Sequence, residues 1–411
     1  MKKNEKDLFL ELCRFKDVNR EKLKAYISCG AATPEVLGNL LCNRMAAIAC
    51  GVLKENDLLS KVNREFQTTL TNTLEQNKLK NESYFSCLKM ISEVLEKCKE
   101  KYALLKGAYL CGLYPEGYRT SNDIDLLVQD RNVEEIGRGL NEAGFRQGYI
   151  KNGEFKEASR QEIISSKMLR GETVPYVLEV NLPFMKYLEI DVNYSLDHKN
   201  NEDDAVREFI INAREIDMGD HSVTTLDKYF FILHLCSHLY KEAATYPWVM
   251  MGRDMTLYKM CDLYLLLREY REQKPAVRSA GADTGGTHMQ PDFETLFQYA
   301  ARFNMNTECF YAFYVTRELF NLKNIITDSV MSRLVRNMTS SGIYAPYNLV
   351  KKVISPADKQ VYWYEDNDIV GRFFTKDRAA ALTKEKELYE GIPGKAPTLW
   401  DFTQNPGKAG R

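Results

Sequence analysis

The sequence predicts an α/β protein in which a small mixed sheet is flanked by helical regions on both sides. Three observations support this fold class. Residues 1 to about 100 carry apolar side chains at the three- and four-residue spacing of helices. Strand-like segments follow at 123–128, 176–182 and 187–194, the last with strict alternation of apolar and polar residues. From Thr225 onward the helical spacing returns, which places helices after the sheet as well as before it.

The elements can be justified in order along the chain. Before the sheet, helices are expected over 35–53, 56–79 and 83–99. In the middle we expect a strand at 102–106, a helix at 107–113, the DIDLLV strand at 123–128, a helix at 133–143 and strands at 144–149, 176–182 and 187–194. After the sheet, helices are expected over 225–242, with Thr225 as N-cap, and over 256–273 and 293–322.

These elements suggest four regions. They are an N-terminal helical region (1–100), a strand-rich core (101–222), a helical domain that completes a cleft (223–345) and a C-terminal hairpin, helix and loose tail (346–411). The hairpin pairs 360–364 with 369–374 around an acidic turn. Gly and Pro predict a loop over 274–292 and a loose tail over 393–411.

The composition excludes several classes of protein. A hydrophobic content of 44% and a charged content of 27% are those of an ordinary globular protein. The balance of 56 basic and 57 acidic residues argues against extended nucleic acid as a partner, since that partner favours a basic surface. No apolar run approaches the roughly 20 residues that span a bilayer, and the N-terminus lacks a secretory apolar segment. The ten scattered cysteines favour reduced thiols over disulfides or zinc, and we therefore expect a cytoplasmic protein with no membrane partner.

Asp123 and Asp125 are the most informative residues. They lie two positions apart on a predicted strand and therefore share one face, while Ile124 and Leu126 point to the other. Two carboxylates side by side repel each other, and a divalent cation between them relieves this repulsion. The pair predicts a magnesium site, which is typical of phosphate chemistry.

A third carboxylate, Asp191, lies on the polar face of the alternating strand at 187–194. An exposed strand face would carry an acid equally well. Together with Asp123 and Asp125, however, it forms an ordered set that can converge on one point. Three carboxylates and the phosphates of a nucleotide can complete the coordination shells of two magnesium ions.

The order of these motifs over about residues 100–270 resembles the nucleotidyltransferase superfamily, which has the fold of DNA polymerase beta, kanamycin nucleotidyltransferase and poly(A) polymerases. Its signature is Gly-Ser or Gly-Gly at a strand–helix junction, Asp-x-Asp on the next strand and a third acid on a later strand. The chain is most similar to the branch of uncharacterised nucleotidyltransferase family proteins. The shared features are LKG at 105–107, Tyr-Pro at 114–115, Arg119, DIDLLV at 123–128 and LHLCSHLYKE at 233–242. One departure is Ala108, where the superfamily signature has serine.

The resemblance implies a transferase that uses two Mg²⁺ ions to move a nucleoside monophosphate, AMP from ATP or another NTP, to a hydroxyl or similar acceptor, with release of pyrophosphate. It makes Asp123, Asp125 and Asp191 the catalytic residues and the metal ligands. The residues it implies for the nucleotide are Lys106, Gly107, Arg119, Ser121, His234, His238 and Lys241. The acceptor stays open between a small molecule, a peptide and a protein, and the oligomeric state is not indicated.

The nucleotide-binding assignments have structural alternatives. Lys106 also fits a surface lysine, Arg119 a structural ion pair and Ser121 a turn residue. His234 and His238 form an HxxxH pair on one helical face, which suits a zinc site or a structural role at a domain junction as well.

Two other functions remain open for the whole chain. A degenerate nucleotidyltransferase would bind a nucleotide or a protein partner without turnover, as an antitoxin or a scaffold, and Ala108 favours this alternative. A phosphotransferase would use the same three acids to move the γ-phosphate of ATP instead.

Overall fold

The computed structural model describes residues 1–169, 171–196, 204–218, 221–272 and 292–384. Its contacts divide the chain into two compact units, Met1–His234 and Leu235–Arg411. The predicted tail over 393–411 lies outside the described residues, and so does the predicted loop over 274–292 except for Asp292. The division into four regions stays a prediction. No helix in the described ranges is long and apolar enough to cross a membrane.

The first unit begins with helices and continues with strands and helices intermixed. The helices are α1 (Lys3–Leu12), α2 (Arg20–Ser28), α3 (Pro34–Cys42), α4 (Ala46–Glu55), α5 (Arg64–Cys98), α6 (Gly107–Leu113), α7 (Val133–Glu142), α8 (Arg160–Leu169), α9 (Asp204–Ile211) and the start of α10 (Lys228–Ala243). The strands are β1 (Tyr102–Leu104), β2 (Asp123–Val128), β3 (Arg146–Lys151), β4 (Glu154–Glu157), β5 (Tyr176–Leu182), β6 (Met185–Asn193), β7 (Arg214–Asp217) and β8 (Ser222–Thr225).

Helices are present before the sheet, as predicted, but with different boundaries. The helix expected over 35–53 is interrupted between α3 and α4, where Arg44 adopts a left-handed φ of 56°. Conversely, the two helices expected over 56–79 and 83–99 are one helix, α5, of 35 residues. Its sequence contains no Gly or Pro to break it, and the Asn63 side chain caps its start by accepting from the Phe66 amide.

The described strands of the first unit form one eight-stranded sheet with the order β4-β3-β5-β6-β2-β1-β8-β7. Strand β2 runs parallel to β6, and β1 runs parallel to β8, whereas the neighbouring pairs β1–β2 and β5–β6 are antiparallel. The sheet is therefore mixed, and the predicted fold class, a mixed sheet with flanking helices, is confirmed.

The core of the first unit lies between this sheet and helices α5 and α7. Leu88 and Ile91 of α5 pack in one cluster with Ile124 and Leu126 of β2 and with Ile190 of β6, and all five are fully buried. Burying each such side chain contributes roughly 1.5–3 kcal/mol. The predicted inward direction of Ile124 and Leu126 is confirmed, so the opposite face of β2 carries its two aspartates.

Thr225 does not cap the following helix, and this prediction is wrong. Thr225 ends β8, and its buried hydroxyl donates to the Leu104 carbonyl of β1 at 2.6 Å. A hydroxyl used between strands is not available as a cap. Helix α10 begins instead at Lys228, and the Asp227 side chain accepts from the Tyr229 amide at 3.1 Å.

The second unit is mainly helical. Besides the end of α10 it contains α11 (Tyr246–Met250), α12 (Leu257–Glu272), α13 (Phe293–Arg302), α14 (Asn306–Phe320), α15 (Asp328–Ser340), α16 (Ile369–Arg372), β9 (Lys352–Ile354), β10 (Val361–Tyr364) and β11 (Leu382–Lys384). A buried ion pair strengthens it, because Nε of Arg378 donates to both carboxylate oxygens of Asp254 at 2.9 Å.

The predicted hairpin is wrong. The first predicted strand is present as β10, but it pairs antiparallel with β9 and β11. Residues 369–372, which were predicted to form the second strand, form the short helix α16. The Asp368 side chain caps that helix by accepting from the Gly371 amide at 2.9 Å. An N-cap aspartate directly before a short apolar run favours a helix turn over a returning strand.

Candidate active site

The register between β2 and β6 brings the predicted acids together. Asp125 lies opposite Asp191 across the parallel pair, and Asp123 lies opposite Glu189. Since paired residues of neighbouring strands point to the same face, the four carboxylates share one side of the sheet. Glu189 was not predicted, although it stands two positions before Asp191 on the same polar face. Burial, and then repulsion from Asp123, raise the pKa of Glu189.

The electrostatics of these carboxylates reflect burial and crowding. Asp125 is 6% exposed. Burial raises its pKa, the Lys106 ammonium opposes that rise, and Asp123 adds to it. Burial also raises the pKa of Asp191 well above its ordinary value, and the neighbouring carboxylates of Asp125, Asp123 and Glu172 raise it further. Carboxyl groups that raise each other's pKa in this way are stabilised in their ionised form by a nearby cation.

Lys106 is held against the acids by an unusual backbone. Its Nζ lies 2.7 Å from Oδ1 of Asp125. Its backbone angles are φ 42° and ψ −110°, a region that residues with a Cβ rarely adopt and that costs about 1–3 kcal/mol. The surface alternative for Lys106 is therefore not supported, because its ammonium lies at the acidic face of β2.

Gly107, the residue after Lys106, packs closely against Ser121 and Tyr84. A Cβ on Gly107 would lie 2.5 Å from Oγ and 2.6 Å from Cβ of Ser121, and 3.1 Å from the Tyr84 hydroxyl. Ser121 in turn donates to Oδ1 of Asp123 at 3.0 Å. The start of α6 thus packs directly against the residue that orients an acid, and a side chain at position 107 would require Ser121 to move.

Gly107→Ala is expected to destabilise the protein by about 1–3 kcal/mol and to displace Ser121 from Asp123, because the new methyl group overlaps the serine side chain. Chemical denaturation measures the first effect. The matched control is Gly38→Ala, since Gly38 lies inside helix α3 and a Cβ added there would meet nothing within 4 Å. Helix propensity predicts that this control gains up to about 1 kcal/mol. Equal effects of both substitutions would contradict the packing argument.

Helix α5 fixes the loop that leads into β2. Asn77 donates its side-chain amide to the Gly117 carbonyl at 2.9 Å. Tyr84, two turns further on, donates its buried hydroxyl to the Asp123 carbonyl at 3.2 Å. Both ends of the segment before the acid pair are therefore hydrogen-bonded to one long helix. The position of the Asp123 backbone is thus fixed by contacts with α5.

Comparison with known proteins adds the decisive observation. Residues 42–321, more than half of the chain, match the pattern of a family described as uncharacterised nucleotidyltransferase. The chain belongs to this nucleotidyltransferase family. No curated protein matches the sequence. The crystal structure of an antigenic nucleotidyltransferase-like protein from Paracoccidioides brasiliensis is similar over 49% of this chain and 80% of that chain, with 12% identity and a TM-score of 0.30.

Membership of the nucleotidyltransferase family confirms the resemblance predicted from the motif order and supports nucleotidyl transfer as the general activity. Ala108, which stands where the superfamily signature has serine, is fully buried in the core cluster of the first unit. Its methyl group packs among apolar side chains, which is a structural reason for alanine at this position.

Glu172 joins the acidic face of the candidate site without any signal in the sequence. An isolated antiparallel bridge pairs it with Asn193 at the end of β6. From there its carboxylate raises the pKa of both Asp125 and Asp191. It belongs to a polar stretch with no periodicity, so only the folded chain reveals that it lies beside the predicted acids.

Arg119 lies in the loop before the acid pair, as the motif order implied. It is 7% exposed, and its guanidinium donates to the Thr120 carbonyl. The guanidinium also limits the rise in the pKa of the buried Tyr84 hydroxyl, a rise caused first by burial. These contacts give Arg119 a structural role in the loop, and its assignment to the nucleotide stays a prediction.

The three predicted residues of α10 share one helical face, but the boundary between the two units falls among them. His234 ends the first unit, and His238 and Lys241 belong to the second. Nε2 of His238 lies 3.5 Å from Oε1 of Glu242, one turn later. Their assignment to the nucleotide, like the zinc alternative, stays a prediction.

The donor chemistry of the acidic face fits magnesium. Its groups are carboxylate oxygens, the ligands that this hard cation prefers. One of these carboxylates, Asp125, already binds a positive group, the ammonium of Lys106. Among the described residues, however, no three His, Cys, Asp or Glu side chains are placed as one coordinating group. Binding a metal would therefore require side-chain adjustment at this face.

Proposed function

We propose that this protein transfers a nucleoside monophosphate, AMP from ATP, to a hydroxyl or similar nucleophile and releases pyrophosphate. The observation that carries the proposal is the β2–β6 register, which sets Asp125 beside Asp191 with Asp123 on the same face. In a chain of this family, an ordered carboxylate set of this kind is the expected machinery of nucleotidyl transfer.

Asp123, Asp125 and Asp191 would hold two Mg²⁺ ions at the acidic face. When bound, magnesium supplies a Lewis acid that stabilises the developing charge on phosphate oxygens. Asp191 is also suited to orient the acceptor hydroxyl or accept its proton. Burial and neighbouring carboxylates raise the pKa of Asp191, and a base works best when its pKa lies near the working pH.

Lys106 is assigned to the phosphates of the nucleotide. Its ammonium is held at the acidic face by the Asp125 contact, and charge-assisted hydrogen bonds to phosphate are among the strongest polar contacts. The other residues proposed for the nucleotide are Gly107, Arg119, Ser121, His234, His238 and Lys241.

The proposed acceptor is a small molecule, a peptide or a protein, and the proposed location is the cytoplasm. The net charge of −1 supports this choice over extended nucleic acid, which selects basic surfaces.

The activity is tested by incubating the purified protein with Mg²⁺, cell extract and each of the four NTPs, labelled either at the α- or at the γ-phosphate. We expect pyrophosphate release and transfer of the α label to an acceptor. Transfer of the γ label with formation of ADP would instead identify a phosphotransferase. Binding of NTP with no transfer of either label would identify a nucleotide-binding module.

A further inference from the structure

A second cation borders the acid-bearing strand, on helix α5. Lys80 donates from its ammonium to the side-chain oxygen of Asn122, the residue directly before Asp123. Tyr84, one helical turn after Lys80, donates to the Asp123 carbonyl at 3.2 Å. Because positions i and i+4 lie on the same face of a helix, this face of α5 runs along the entry to β2.

Lys80 is held there by a neutral partner. Within the described part of the chain, its ammonium bonds the Asn122 amide oxygen and makes no ion pair with a carboxylate. Its neighbour Lys78, by contrast, pairs with Glu75 at 3.2 Å. A partly buried ammonium that is bonded only to an amide oxygen can still bind an anion. An anionic acceptor would make a stronger hydrogen bond with it than the neutral amide does.

The charges around Lys80 also favour the binding of an anion. Burial lowers the pKa of Lys80, the Arg44 guanidinium lowers it further, and Asp123 partly offsets both. Two cations from different parts of the N-terminal helical region are therefore near enough to repel each other. Such a pair beside an acidic strand is stabilised when an anion lies between or beside them.

We propose that Lys80 binds the triphosphate tail of the nucleotide beyond its α-phosphate. Lys106 contacts Asp125 and Lys80 contacts the residue before Asp123, so both ammoniums lie near the start of β2, Lys106 on its acidic face and Lys80 on the side of helix α5. The N-terminal helical region thereby acquires a role in substrate binding. This inference rests on the proposed nucleotidyl transfer.

The test measures binding of α,β-methylene-ATP with Mg²⁺, and of AMP, to the full-length protein by calorimetry. Lys80→Gln removes the charge but keeps a donor for Asn122, Lys80→Arg keeps the charge, and Lys78→Gln is the matched control on the same helix. We expect Lys80→Gln to bind the ATP analogue about tenfold more weakly, equivalent to about 1.4 kcal/mol, with AMP affinity unchanged. Lys80→Arg and Lys78→Gln are expected to stay within about twofold of the wild type, a change under about 0.4 kcal/mol.

Two results would overturn the assignment of Lys80 alone. One is equal affinity of wild type and Lys80→Gln for the ATP analogue. The other is an equal loss for the ATP analogue and AMP, which would mean that Lys80 only positions the loop before β2. Failure of the wild type to bind any NTP analogue would instead overturn the proposed function together with this inference.

Discussion

Asp125→Asn is expected to lower magnesium-dependent pyrophosphate release by about 100- to 1,000-fold while the protein stays folded. The substitution keeps the shape of the side chain and removes an anionic oxygen from the centre of the acidic face. Asp125 lies between the other elements of the site, since it pairs with Asp191 across the sheet and contacts Lys106 at 2.7 Å.

The fold should tolerate Asp125→Asn because two effects oppose each other. The Lys106 ammonium loses its ion-pair partner, but its side chain keeps 21% exposure and therefore contact with water. At the same time the repulsion of Asp125 from Asp123 and Asp191 disappears. We expect a net change in unfolding free energy within about 1 kcal/mol.

Pyrophosphate release and denaturation curves of the same preparations provide the measurement. Asp130→Asn is the matched control, because Asp130 is an exposed acid just beyond the same strand and should retain wild-type activity. Full activity of Asp125→Asn would remove this carboxylate from the mechanism and end the assignment of the site.

The sequence predicted that Asp123 and Asp125 share one face of a strand, but it did not predict which strand and which other acids lie beside them. A period of two is local, and it placed Asp123 and Asp125 together from six residues of sequence. Which strand lies beside β2 is set by contacts distant in sequence. The motifs therefore predicted that Asp191 converges on the pair, but not that β6 lies next to β2. Glu172 shows the limit, since an isolated bridge to Asn193 brings it to the site.

The errors outside the site have the same origin. Thr225 has the residue type of a helix cap, but a tertiary contact with Leu104 uses its hydroxyl. The segment predicted as a strand at 369–374 is too short for its periodicity to distinguish a strand from a helix turn. At these two positions local propensity failed because a partner distant in sequence, or a cap, decided between two structures.

Asp191→Asn is expected to lower pyrophosphate release by about 100-fold and, in the same protein, to raise the midpoint of thermal unfolding. Burial first, and then Asp125, Asp123 and Glu172, raise the pKa of Asp191 well above its ordinary value. The folded protein therefore binds this proton more tightly than the unfolded chain does. Its contribution to stability is lost as the pH rises from the unfolded pKa through the folded pKa.

At neutral pH Asp191 is ionised in the unfolded chain, so burying this carboxyl group opposes folding, and asparagine removes that cost. A gain of about 1 kcal/mol is typical when a strained functional group is replaced, and it corresponds to about 2–4 °C for a unit of this size. Thermal unfolding across pH checks the cause. The difference between variant and wild type should vanish below about pH 4, where the carboxyl group is protonated in both folded and unfolded chains.

A difference that stays constant across pH would assign the gain to packing instead of charge. Magnesium supplies an independent readout, because a ligand that binds only the folded state stabilises it. Added Mg²⁺ should raise the unfolding midpoint of the wild type more than that of Asp191→Asn, so the two curves approach each other. Equal shifts in both proteins would place the metal away from Asp191. Unequal shifts combined with lost activity would show that one carboxylate both destabilises the fold and binds the metal.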